Sequence, residues 1–171
     1  MLPILGCLLP RCGQNPAQRL RCNPALRPLG IRVDELGDWR RVRITLPLRG
    51  ANRNPGGSMF GGAIAALADP IAALACNRVF GGCAVWTRAM NVDFRREGRS
   101  DLELRFDFDS RQEVEIRDEL QQRGRATPIF EYGFYDSRDR LCVLVRNTVA
   151  IRPAGYRPAE GRPVTDEEHD E

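Results

Sequence analysis

Asp69 interrupts an apolar run from Ala63 to Cys76 that is otherwise broken only by Pro70, and a glycine-rich loop precedes it: Asn54 to Cys76 reads NPGGSMFGGAIAALADPIAALAC. A carboxylate is almost never buried without a partner, because desolvating it is costly. Glycines ahead of a helix expose backbone N–H groups, and the positive end of the helix dipole favours an anion or a developing oxyanion there. Gly61 and Gly62 therefore offer an oxyanion site, and Asp69 offers a carboxylate able to act on a substrate held beside it. The same residues also have a purely structural reading. Asp69 can cap, and Pro70 can begin, a helix covering Ile71 to Val79.

Other chemistries find less support. The six cysteines (Cys7, Cys12, Cys22, Cys76, Cys83 and Cys142) form no C-x-x-C pair, and the only histidine, His169, lies near the C-terminus, so zinc is not expected. Cys76 and Cys142 sit in apolar runs, where a free Cys behaves as a small core residue. The spacing gives no disulfide framework, which makes a reducing cytoplasm the default compartment. A serine nucleophile at Ser58 fails because GGSMF is not G-x-S-x-G and no histidine can serve it.

The elements that must position these groups follow from periodicity. Ile31 to Leu36 reads as a strand, Gly37-Asp38 as a turn, and Val42, Ile44, Leu46 and Leu48 alternate with polar neighbours in a second strand. An apolar helix runs from about Ser58 to Phe80, and Pro70 inside it should kink it and release a carbonyl near the carboxylate. Val85 to Phe94 is extended, with Trp86, Met90, Val92 and Phe94 on one side. Leu102, Leu104, Phe106 and Phe108 alternate with charges. Ser110 and Glu113 fit a capping box for a surface helix to Arg123, supported by the Glu119/Arg123 spacing. Ile129 to Tyr135 and Leu141 to Ile151 close a hairpin around Asp136 to Asp139. This order makes the fold class α+β, built on one antiparallel sheet.

At 171 residues the chain suits one domain with a substantial core. Residues 1–29 read as an arm, helical around Pro16 to Leu26, residues 30–152 as the domain, and residues 153–171 as an acidic disordered tail. The 26 basic residues, all Arg, nearly balance 23 acidic ones. The Arg residues are scattered without a binding motif or interleaved aromatics, so no nucleic-acid partner is expected. The N-terminal apolar run is short, broken by Pro and Gly, and lacks a preceding basic residue, unlike a signal peptide. Asp69 and Pro70 cut the best candidate for a membrane span, so no membrane partner is expected either.

Gly61-Gly62 followed by small residues and an Asp resembles the central helix of hot-dog proteins in the acyl-CoA thioesterase superfamily of the phenylacetate-pathway type. There, a strongly curved antiparallel sheet wraps one long helix. The segments GIRVDELGDWRRVRITLPLRGANRN, MFGGAIAALADP and AVWTRAMNVDFRREGR resemble a branch of that superfamily long filed as a domain of unknown function. The resemblance implies hydrolysis of an acyl thioester such as acyl-CoA, or, alternatively, non-catalytic binding of such a ligand. It implies that Asn54 positions water or substrate, that the Gly61 N–H with Gly62 nearby holds the oxyanion, and that Asp69 is base or nucleophile. The His usual before the glycine pair is Phe60 here, which removes a polar group and offers an apolar wall. Met59, Phe60 and Trp86 are candidates to line the acyl site, with the ordinary core as their other reading. Arg95, Arg96 and Arg99 lie in a turn that can meet phosphates or simply be solvated. No cofactor is implied, because a thioester is already activated. A homodimer or a dimer of dimers is implied, with each site shared between chains.

Overall fold

A computed structural model of the chain describes residues 15–156; the first part of the arm and nearly all of the acidic tail lie outside the described residues. The elements are α1 (Pro16–Cys22), β1 (Arg32–Leu36), β2 (Arg41–Leu46), α2 (Gly61–Val79), β3 (Cys83–Phe94), β4 (Leu102–Asp107), α3 (Ser110–Arg123), β5 (Ile129–Tyr135) and β6 (Leu141–Pro153). The strands form one six-stranded sheet in the order β1-β2-β4-β5-β6-β3, every neighbouring pair antiparallel. The sheet packs around α2, and this is the hot-dog architecture. β1 and β3 are its edges.

The strict alternation in β2 and β4 sets their register. Val42 faces Phe106, Ile44 faces Leu104 and Leu46 faces Leu102, and all six side chains are fully buried. Slipping the pairing by one residue would turn that whole face to water. Against it α2 buries Leu67, Ala68, Ile71, Ala72, Ala75 and Cys76 completely. Its alanines keep the helix slim enough for the strands to approach, and each large side chain buried is worth about 1.5–3 kcal/mol. Phe106, Phe108, Phe130 and Tyr132 close the core edge to face, with Phe108 and Phe130 ring centroids 5.1 Å apart. Leu20 and Leu26 of the arm are buried in the same core. Among the described residues α2 alone has the length and apolarity of a membrane span, but its apolar face is packed into this core.

Four local readings differ from the sequence expectation. The single helix containing Pro70 is present but starts at Gly61 rather than about Ser58 and runs to Val79, so the alternative in which Asp69 caps a helix from Ile71 falls away. The cap of α3 is Asp109 rather than Ser110: its carboxylate accepts from the N–H of Arg111 and Gln112, while Glu113 pairs with Arg40 at 2.8 Å and Arg117 at 2.7 Å. A bulge between Thr87 and Ala89 reverses the alternation of β3. Thr87 thus joins Met90 and Val92 on the helix side, and Trp86 points away from it to stack on Tyr156 with centroids 5.8 Å apart. Finally, Cys22 is disulfide-bonded, whereas Cys76, Cys83 and Cys142 are free. Cysteine spacing does not indicate this bond, and thiol content therefore assigns no compartment.

Candidate active site

The loop entering α2 is built by its own side chains. The Asn54 Oδ1 accepts from the Ser58 N–H at 3.1 Å, and its Nδ2 donates to the Ser58 Oγ at 2.9 Å. Gly57 sits at φ 82° to close this turn, a conformation that favours glycine. The Met59 N–H reaches the Gly98 carbonyl at 2.8 Å, tying the loop to the β3–β4 turn. Below it, buried Asn52 donates to the carbonyls of Leu29 and Pro47. Asn54 thus shapes the loop first, and its amide keeps one further donor and one further acceptor position.

The loop delivers the chain into α2 with Phe60 as an N-cap that makes no side-chain hydrogen bond, and no acidic residue lies in the first turn. Among the described residues the N–H groups of Gly61 and Gly62 have no partner: no helical carbonyl precedes them by a turn, and the first one, that of Phe60, accepts from Ala63 at 3.0 Å and Ile64 at 3.2 Å. Two backbone donors at the positive end of a 19-residue helix are therefore left uncompensated. They open beside a cleft of about 470 Å³ whose lining includes Asn54, Ser58, Met59, Gly61, Ile64 and Phe94. The two glycines lie close under exposed rings: a Cβ on Gly61 would stand 3.1 Å from the Phe94 Cζ, and one on Gly62 would displace the Phe60 ring.

Asp69 lies eight residues further along the helix. Its side chain is exposed, not buried as the apolar run suggested, and it makes no hydrogen bond or ion pair among the described residues. It stands on a strip with Gly62 and Ala66, both exposed, and Ala73, half-buried. Sequence could not identify this strip because small apolar residues are used on both the covered and the open faces of α2. The Asp69 carbonyl accepts from the Thr87 Oγ1 at 2.9 Å and the Asn147 Nδ2 at 3.1 Å. The Ala68 carbonyl accepts from the Tyr132 hydroxyl at 2.7 Å, and Asn147 also donates to that hydroxyl at 3.1 Å. Burial pushes the Tyr132 phenol well above its ordinary value, and the Asp69 charge adds to this while the Asn147 hydrogen bond opposes it. The Oδ1 of Asn147, in a side chain with no exposure, has no donor, which costs about 1–3 kcal/mol.

The structure therefore brings Asn54, Met59 and Gly61 to one cleft, with Gly62 and the half-exposed Phe60 beside it. Asp69 is about 12 Å from Gly61 along the axis, at 1.5 Å per residue. Trp86 is on the outer face of β3 and does not line this cleft. Sequence reasoning passed over Phe94 and Ser58 in the lining, and Thr87, Tyr132 and Asn147 under Asp69. Asn147 had a signal of its own: it takes an inward position of β6 whose alternate neighbours are Val143, Val145, Val149 and Ile151.

With fold and cleft defined, residues 18–151 match the family described as a domain of unknown function, DUF4442, and the chain belongs to that family. No curated protein matches it. Among solved structures it is similar to PA5026 of Pseudomonas aeruginosa, a protein of unknown function and probable thioesterase, at 22% identity over 74% of this chain and 85% of that one, with a TM-score of 0.66. It is similar also to the thioesterase HI1161 of Haemophilus influenzae, at 20% identity over 82% and 91% of the two chains, TM-score 0.63. The E. coli PaaI protein, from the phenylacetic acid degradation operon, matches at 20% identity over 72% and 80%, TM-score 0.54. At these identities the likeness establishes the shared fold.

Proposed function

We propose that the protein hydrolyses an acyl thioester, with acyl-CoA as the substrate class, at a site completed by two copies of the chain. The carrying observation is the pair of unpartnered N–H groups of Gly61 and Gly62 at an uncapped helix start beside a cleft. In the proposed reaction the carbonyl oxygen of the thioester sits at the Gly61 N–H, where a preorganised donor lowers the barrier by about 3 kcal/mol. Asp69 removes a proton from water as the water oxygen bonds to the carbonyl carbon, or attacks that carbon itself. On the base route, collapse of the tetrahedral intermediate breaks the C–S bond and the departing thiolate takes the proton from Asp69; on the nucleophile route the thiolate leaves first, and water then hydrolyses the Asp69–acyl anhydride, freeing the carboxylate and the acid and supplying the proton the thiolate takes up. Asn54 uses its remaining amide positions on the water or substrate.

A separation of about 12 Å prevents Asp69 and Gly61 of one helix from touching the same carbonyl group, which supports pairing Gly61 of one copy with Asp69 of another. The unpaired edge of β3 and the exposed rings of Phe60 and Phe94 support association with a second copy. Met59, Ile64 and Phe94 make the cleft apolar on one side, so medium-chain or aryl groups should exceed acetyl. The test is thiol release from acyl-CoAs of graded chain length by the wild type and Asp69→Asn. The substitution should reduce turnover at least about a hundredfold with folding intact. Near wild-type turnover in Asp69→Asn would sink the assignment of Asp69, and saturable binding without turnover in the wild type would establish a binding module instead.

A further inference from the structure

Side chains from three strands converge on the carbonyls of Ala68 and Asp69, immediately before Pro70. Thr87 comes from the bulge of β3, Tyr132 from β5 and Asn147 from β6. Asn147 is dispensable for hydrogen-bond satisfaction. The Asp69 carbonyl already accepts from Thr87, and the Tyr132 hydroxyl already donates to Ala68. Asn147 also leaves its own buried Oδ1 unpaired. An apolar side chain of similar volume would remove that orphan acceptor and create no new one. A buried polar group with no need to meet and an unmet need of its own calls for a role other than stability. What Asn147 alone does is join β5 and β6 to the peptide of Asp69 through two bonds from one amide.

We propose that Asn147, assisted by Thr87, is a positioning residue for Asp69: it holds the Asp69 peptide against the sheet beside Pro70 and so sets the direction in which the carboxylate leaves the helix. This rests on Asp69 being the carboxylate of thioester hydrolysis. The clamp takes hold of the backbone, so the side chain stays outside while its origin is fixed from within.

The test uses the full chain and the best substrate of the acyl-CoA panel, with Asn147→Leu, Thr87→Val and Thr87→Ser, and with Asn147→Leu combined with Asp69→Asn. Asn147→Leu should keep the wild-type unfolding midpoint or exceed it, and lower kcat about tenfold with KM within about twofold, as for a displaced catalytic group. Thr87→Val should lower kcat and Thr87→Ser restore it. In the Asp69→Asn background Asn147→Leu should cause no further loss, because there is no catalytic carboxylate left to misplace. A folded Asn147→Leu with wild-type kcat beside an inactive Asp69→Asn overturns the positioning role alone, as does an equal loss in both backgrounds. Should Asn147→Leu not fold, the Thr87 pair decides: equal kcat in Val and Ser overturns the proposal. A wild-type rate in Asp69→Asn overturns the catalytic reading and this role together.

Discussion

Gly61→Pro separates the chemistry of the helix start from its architecture. Proline is favoured at the first helical position, and the residue before it must be extended; Phe60 already is, at φ −69° and ψ 125°. The Gly61 N–H that proline deletes bonds to nothing among the described residues, so folding loses no hydrogen bond. The new ring meets chiefly the exposed Phe94 side chain, which can turn aside. Reduced freedom of the unfolded chain should then leave stability unchanged or raised by about 0.4–1 kcal/mol. Loss of an oxyanion donor should cost about 2.7–4 kcal/mol of transition-state stabilisation, a fall in kcat of about 10²–10³. Urea unfolding and thiol release from an acyl-CoA measure the two effects. A stably folded Gly61→Pro that turns over like the wild type refutes the oxyanion assignment. Mixing this variant with Asp69→Asn extends the test. With random exchange in equal amounts, about half the dimers are mixed and each has one undamaged shared site, so about a quarter of all sites recover. Mixed dimers verified by mass and no more active than either parent refute the sharing of sites.

The β5–β6 turn should give stability an acid limb. Hydrogen bonds from the Arg140 side chain and then from the backbone N–H groups of Arg140 and Arg138 hold the Asp136 carboxyl down to about 2. Its contribution is complete above the usual 3.8 and is lost as pH falls through about 2, so the stability gap between wild type and Asp136→Asn, measured by urea unfolding, should shrink across that window and stay constant above pH 5. Burial pushes the Cys76 thiol up to about 12, so in the native protein a maleimide should label the half-exposed Cys83 and spare Cys76, with labelling of Cys76 appearing only on unfolding; equal native labelling of both, read by peptide mass, would contradict the core placement of Cys76.

The sequence by itself determined the elements whose faces differ in polarity. Leu102, Leu104 and Phe106 alternate with charges, and only one pairing register against Val42, Ile44 and Leu46 buries all of them, so strand, face and partner follow from one pattern. The glycine pair at the start of an apolar run likewise marked the helix N-terminus where the unpartnered N–H groups stand. Tertiary structure decided what periodicity leaves open. Pro70 lies inside a continuous helix, and side chains from three strands reach the carbonyls of Ala68 and Asp69 just before it. The open face of α2, and with it the exposure of Asp69, depended on where the sheet ends, which an alanine-rich helix does not encode. One extra residue at the β3 bulge turned Trp86 outward, and a carboxylate one position earlier took the cap of α3 from Ser110. Local pattern fixes which residues seek the interior; only the closed packing of all strands fixes which polar groups meet there, because Thr87, Tyr132 and Asn147 lie 18, 64 and 78 positions from the helix residues they hold.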